Sequence, residues 1–150
     1  MAVKVRFPVI VFTDYGYEAC LSARDLCIKS KKDIEQGFFD DLEFLDSNGV
    51  LRKVTKYSLT NKIKISFLMH LFYFKRMQAV EIFEVEEDNL DLNRMILKVV
   101  DAVCYVANGA SKQFDKEELS NMLSKKSSPK SIIEYFSGEL PSFLEEYQEV

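Results

Sequence analysis

His70 is the only histidine in the 150 residues, so general-base chemistry near neutral pH would run through it or through a perturbed carboxylate. No nucleophile or orienting carboxylate neighbours it in sequence; Met69 and Leu71 flank it. A hydrogen-bonded structural histidine is the expectation. An active site would have to be assembled from distant residues such as Asp41, Lys64 and His70. Paired acids occur at Asp40-Asp41 and Glu86-Glu87-Asp88, but neighbours on a strand point to opposite faces and make no acid/base couple. Cys20, Cys27 and Cys104 are odd in number and lack metal-ligand spacing, which predicts buried apolar thiols in a reducing compartment. There is no DxD, HExxH, EF-hand, GxxxxGK[ST] or GxGxxG pattern, and the 5 glycines leave little for a phosphate loop. The sequence therefore predicts no enzyme, no cofactor and no metal.

Charge is distributed more tellingly. Glu81, Glu84, Glu86, Glu87, Asp88 and Asp91 follow one another without a base, and Glu139, Glu145, Glu146 and Glu149 do the same near the C-terminus. Arg52, Lys53, Lys56, Lys62 and Lys64 form the opposite run, with no acid between them. Read as separate faces, these runs make a dipolar molecule whose acidic side steers a basic protein partner. With a net charge of −4, attraction to nucleic acid is weak.

The elements that would position these residues belong to one domain, β-rich over 1–88 and helical over 89–150. A hydrophobic content of 47% with 29% charged residues suits a globular chain of this length. Val3, Val5, Phe7, Val9 and Val11 alternate with Lys4 and Arg6 as a half-buried strand. Pro8 inside it suggests a free edge, open to a partner strand or a homodimer. A return strand over 17–21 follows the Asp14-Tyr15-Gly16 turn, and Ser22 caps a short helix with Asp25 in the capping-box position. Asp46-Ser47-Asn48-Gly49 makes a hairpin turn into a strand over 50–59. Ile63, Ile65, Phe67, Met69, Leu71 and Tyr73 read as another strand, with a helix from Phe67 as the competing reading. A further short strand covers 79–85.

Leu92, Met95, Ile96, Val99, Val100, Val103 and Ala107 then give the apolar face of a long helix ending at Asn108-Gly109. Asp115, with Glu118 and a Phe114–Leu119 staple, starts the next. Ser128-Pro129 opens a third, burying Ile132, Ile133 and Phe136 and stopping at Gly138. Pro141 opens a last one, with Phe143, Leu144 and Tyr147 inward. The fold class is α+β: an antiparallel sheet of about five or six strands packed on one face against a bundle of about four helices. Residues 115–137 also have the outline of a helix-turn-helix, with Lys125, Lys126 and Lys130 as its cations, and a DNA-binding regulator is the alternative function. The apolar run after Lys4 and Arg6 is too short for a signal-peptide core, and the apolar stretch over 63–74 falls short of the about 20 residues a spanning helix needs. The expected location is the cytoplasm, without a membrane partner.

Phe7-Pro8-Val9-Ile10-Val11, the Asp14-Tyr15-Gly16 turn, the Ala23-Arg24-Asp25-Leu26 helix and Phe44-Leu45-Asp46-Ser47-Asn48-Gly49-Val50-Leu51 resemble the N-terminal unit of small bacterial immunity proteins from polymorphic or contact-dependent toxin systems. The resemblance spans roughly the first third of the chain. It implies a non-enzymatic inhibitor that neutralises a cognate toxin, such as a basic nuclease, by direct binding. The acidic run would then supply the contacts, with Glu84, Glu86, Glu87 and Asp88 first, Glu145 and Glu146 second, and Tyr147 as an aromatic anchor.

Overall fold

Alternation along the chain builds a sheet with two distinct cores. The computed structural model describes residues 3–14, 16–73, 76–109, 116–126, 128–137 and 147–150. The strands are β1 (Lys4–Arg6), β2 (Val9–Thr13), β3 (Gly16–Cys20), β4 (Ile28–Ser30), β5 (Glu43–Asp46), β6 (Val50–Thr60), β7 (Met77–Asn89) and β8 (Tyr147–Glu149). The helices are α1 (Ala23–Cys27), α2 (Lys31–Glu35), α3 (Phe67–Tyr73), α4 (Leu92–Gly109), α5 (Lys116–Ser124) and α6 (Pro129–Ser137). Six strands form an antiparallel sheet in the order β3-β2-β5-β6-β7-β4, and β1 pairs with β8 beside it.

On β2 and β5, successive side chains enter opposite cores, as the period of two requires. Val9, Val11 and Phe44 point inward with Phe7, Leu26, Phe39, Val80 and Ile82. Ile10 and Leu45 point outward to Met95, Val99, Leu123 and Ile132 of the C-terminal helices. The sheet curls around the inner core until its two edge strands face each other. Lys29 of β4 reaches Glu18 of β3 at 2.6 Å, and α1 covers the seam. Ser22 caps α1 by accepting from the Asp25 amide at 3.3 Å. The Asp25 carboxylate reaches back one residue further than a capping box would, to the Leu21 amide at 3.0 Å.

On the outer face α4 buries Met95, Ile96, Val99, Val100 and Val103, the face its spacing predicts. Lys98 anchors it to Glu43 of β5 at 2.5 Å. Pro129 stands at the first position of α6, and the Ser128 hydroxyl accepts from the Ser131 amide at 3.2 Å. Asp115, Phe114, Gly138, Pro141, Phe143 and Leu144 lie outside the described residues, and with them most of the proposed fourth helix of the bundle.

Three expectations are corrected. The first strand does not run through Pro8: it breaks at a cis Phe7-Pro8 bond into β1 and β2. Because β2 lies between β3 and β5, the segment after Pro8 has no free edge for a homodimer. Residues 63–73 are not a strand, since α3 starts at Phe67; a run that is apolar on every side satisfies both periods, and few β-branched residues follow Ile65. Tyr147 belongs to β8, opposite Arg6, and not to a final helix.

The Asp46-Ser47-Asn48-Gly49 turn joins these layers. Asp46 is fully buried, and its Oδ1 accepts from the Asn48 and Val50 amides at 2.9 and 3.1 Å. Its Oδ2 accepts from Arg52, whose Nε donates to Glu87 of β7 at 2.9 Å. Ser47 holds the Pro8 carbonyl at 2.8 Å. Gly49 has a φ of +80°, and a Cβ there would stand 3.1 Å from Pro129, so α6 rests on the turn. Arg52 is thus an internal ligand of Asp46 and not part of a basic surface.

Removing Arg52 strands a buried carboxylate. An Arg52→Met variant is expected to lose about 3–5 kcal/mol in urea unfolding. Lys56→Met, which breaks only an exposed pair, should stay within about 0.5 kcal/mol of the parent.

Candidate functional site

The β6–β7 ribbon brings the two opposite charge runs side by side. Register pairs Arg52 with Glu87, Lys53 with Glu86 and Lys56 with Glu84. Lys56 meets Glu84 at 3.5 Å, Lys62 meets Glu81 at 3.2 Å, and Asp88 takes Arg94 at 2.8 Å. The dipolar molecule with an acidic and a basic side is therefore corrected: cross-strand pairing places each sign against the other. Among the described residues Glu86 has no partner within the distance of a salt bridge. The hydrogen bond and charge of Asp41, with a smaller contribution from Glu86, raise the Lys53 ammonium above its ordinary value.

Sheet order leaves part of this ribbon open. β4 covers β7 only at Met77, Gln78 and Ala79. Among the described residues no strand pairs with the outer edge of β7 over residues 80–89. Val80 and Ile82 are buried beneath it, whereas Glu84, Glu86, Glu87, Asp88 and Asn89 are exposed. Four predicted binding residues thus share one strand with an unpaired backbone edge. Glu145 and Glu146 lie outside the described residues, and Tyr147 is placed by its backbone on β8, in the two-stranded sheet and not in the one that carries the other four.

A cleft of about 880 Å³ lies where the curled sheet fails to close, between β3, α1 and the turn after α2. Acids line it, and each of five has a structural task. Glu18 holds Lys29, Asp25 holds the Leu21 amide, and Asp33 accepts from Ser30 at 2.5 Å. Asp40 accepts from Tyr57 at 2.8 Å, which raises the phenol above its ordinary pKa, and Asp41 pairs with Lys53 at 3.0 Å. Among the described residues no group of three His, Cys, Asp or Glu side chains is placed to hold a metal ion.

Asp41, Lys64 and His70 are not brought together by any hydrogen bond or ion pair. His70 Nδ1 accepts from the Met77 amide at 3.0 Å, which puts the proton of a neutral ring on Nε2. That bond ties α3 to the start of β7. The segment with the helix-turn-helix outline in sequence packs Leu119, Leu123, Ile132 and Ile133 into the outer core. Of its cations, Lys130 pairs with Glu134 at 3.6 Å and Lys126 stands 5.4 Å over the Tyr135 ring. No helix among the described residues is long and apolar enough to cross a membrane.

One surface has no counterpart in the sequence reading. Phe67, Leu68 and Leu71 of α3 are 76%, 72% and 57% exposed. The competing helical reading of this run was the signal that would have found them.

The chain matches no protein-family model, no curated protein and no solved structure.

The thiols are free and buried, as expected. Burial, opposed by Lys29, pushes Cys20 and Cys27 up to about 12 from 9.0. Neither should react with an aromatic disulfide reagent at pH 8 in the native protein, and both should react once it is unfolded in urea. Because the folded value is the higher one, their contribution to stability is intact below pH 9.0 and is lost as pH rises towards about 12. The urea midpoint should accordingly fall above pH 9.0, and less so in a Cys20→Ala, Cys27→Ala variant.

Proposed function

We propose that this chain is a non-enzymatic protein-binding inhibitor, an immunity protein that neutralises a cognate bacterial toxin by direct contact along the open edge of β7. The observation that carries this reading is the unpaired edge over residues 80–89 beside exposed Glu84, Glu86, Glu87 and Asp88. A free strand edge offers a row of backbone donors and acceptors to an extended segment of another chain, and natural proteins rarely leave one open without a use or a guard. Acidic side chains at alternate positions guard it against a second copy, because two such edges would repel. They admit a strand carrying Lys or Arg, the expected surface of a basic nuclease.

The ion pairs within the ribbon do not prevent this. Exposed pairs contribute only about 0–1 kcal/mol each, so a basic partner exchanges them at little cost. Glu86 needs no exchange at all. The N-terminal resemblance to toxin-immunity proteins supports the same reading from an independent part of the chain.

The test is co-expression with the product of the adjacent gene as candidate toxin, followed by binding measurements on the complex. Glu84→Lys with Glu86→Lys should slow association by about tenfold or more at low salt, lessen its salt dependence, and leave the thermal midpoint nearly unchanged. Protection against toxicity should fall in parallel. Unaltered association in that variant would remove the β7 edge from the interface, and a neighbour that neither binds nor is toxic would remove the immunity reading itself.

A further inference from the structure

At the other end of the same ribbon, the connection between β6 and β7 carries a surface of opposite character. α3 makes no extensive packing contact with any other element among the described residues, and none of its described side chains is buried. Phe67, Leu68 and Leu71 are among the most exposed large apolar residues of the chain. Large apolar side chains on one helix face belong in an apolar medium, and these three stand in water.

Cations surround it. Between Asn61 and Gln78 the sequence carries Lys62, Lys64, Lys75 and Arg76 and no acid. Lys64 and Arg76 are exposed, and the bond from the Met77 amide to His70 holds Arg76 next to α3. Exposed Arg24 of α1 joins the group by donating to the Lys64 carbonyl at 3.0 Å. Among the described cations here, Lys62 is engaged by an acid, Glu81.

We propose that this tip is a peripheral membrane-binding element, in which α3 lies in the headgroup–acyl boundary of an anionic bilayer while Arg24, Lys64 and Arg76 contact lipid phosphates. Apolar side chains flanked by cations are the composition of interfacial anchors, and a seven-residue helix lies in the boundary without spanning it. Charge selects the occupant. A second copy docking isologously would bring Arg24, Lys64 and Arg76 against their own kind. Geometry suits it too, since Phe67, Leu71 and Leu68 fall within about 100° of arc on one exposed face and enter the boundary together as the helix lies flat. The inference does not depend on what binds at β7.

Flotation of the full chain with vesicles of phosphatidylcholine, alone or with about one quarter phosphatidylglycerol, tests it. Retention should be at least about tenfold higher on the anionic vesicles and should fall with added salt. Phe67→Ser with Leu68→Ser should abolish it, and Lys64→Glu with Arg76→Glu should reduce it by about tenfold or more. All four side chains are exposed, so unchanged circular dichroism and urea midpoints will show that the variants fold. No retention on anionic vesicles, equal retention on both kinds, or retention indifferent to the serine pair would each overturn the proposal. So would a dimer seen by sedimentation that the serine pair dissolves while vesicles go unbound.

Discussion

The buried Asp46–Arg52 pair is the constraint on which the rest of the arrangement depends. A carboxylate with no solvent exposure costs several kcal/mol to desolvate, and only complete hydrogen bonding offsets that. Here the partners come from different layers. Two are the amides of its own turn, a third is the Arg6 amide of β1 at 3.5 Å, and the fourth is a guanidinium on β6 that also holds Glu87 on β7. Each partner fixes one register: the turn between β5 and β6, then the alignment of β6 with β7. A hydrophobic substitute of similar volume would lack those directions. Ser47, in the same turn, carries the constraint outward to the Pro8 carbonyl, where β1 leaves for its separate pairing with β8.

Curling of the sheet follows from this anchoring and from the shortness of α1. The strands at the two ends of the sheet order, β3 and β4, are only seven residues apart in sequence. They must therefore approach, although no backbone ladder joins them; Lys29–Glu18 and α1 close the seam instead. Curling buries Val80 and Ile82 but stops short of covering the distal part of β7. The open edge is thus a geometric remainder. A β4 of three residues cannot flank a β7 of thirteen.

Much of this was legible from residue order, because local rules decide it. The two-residue alternation of β2, the Asn48-Gly49 turn, the Ser22 and Ser128 caps and the apolar face of α4 each depend on near neighbours. What eluded the sequence reading depended on distant ones. Ile63, Ile65, Phe67, Met69, Leu71 and Tyr73 fit a strand as well as a helix, and with no strand among the described residues to pair with, the run makes its hydrogen bonds internally as α3 from Phe67. Arg52 reads as one cation of a basic run until β5 and β6 pair and Asp46 is seen beneath it. The acidic and basic runs read as separate faces because a connection of sixteen residues, 61–76, lies between β6 and β7. Their mutual neutralisation is a property of register, which composition does not encode. The acidic run of β7 was legible as a set, but the open backbone edge beside it was not.

The ribbon also separates what pairing cannot neutralise. Midway along it, lysine and glutamate alternate across the strands, and exposed pairs of this kind contribute little to stability. Their effect is to cancel charge where it would otherwise act at a distance. Among the described residues, charge without an ion pair is left at the two ends: Glu86 beside the open edge, and Arg24, Lys64 and Arg76 around α3. Ten residues of β7 separate these ends, which at about 3.3 Å per residue is roughly 30 Å, some three to four Debye lengths at physiological salt. Single charges so far apart do not screen or attract each other appreciably. The two proposed contacts would therefore be independent, and an α3 tip seated on a bilayer would hold the β7 edge clear of the headgroups, free to take an extended segment from the aqueous side.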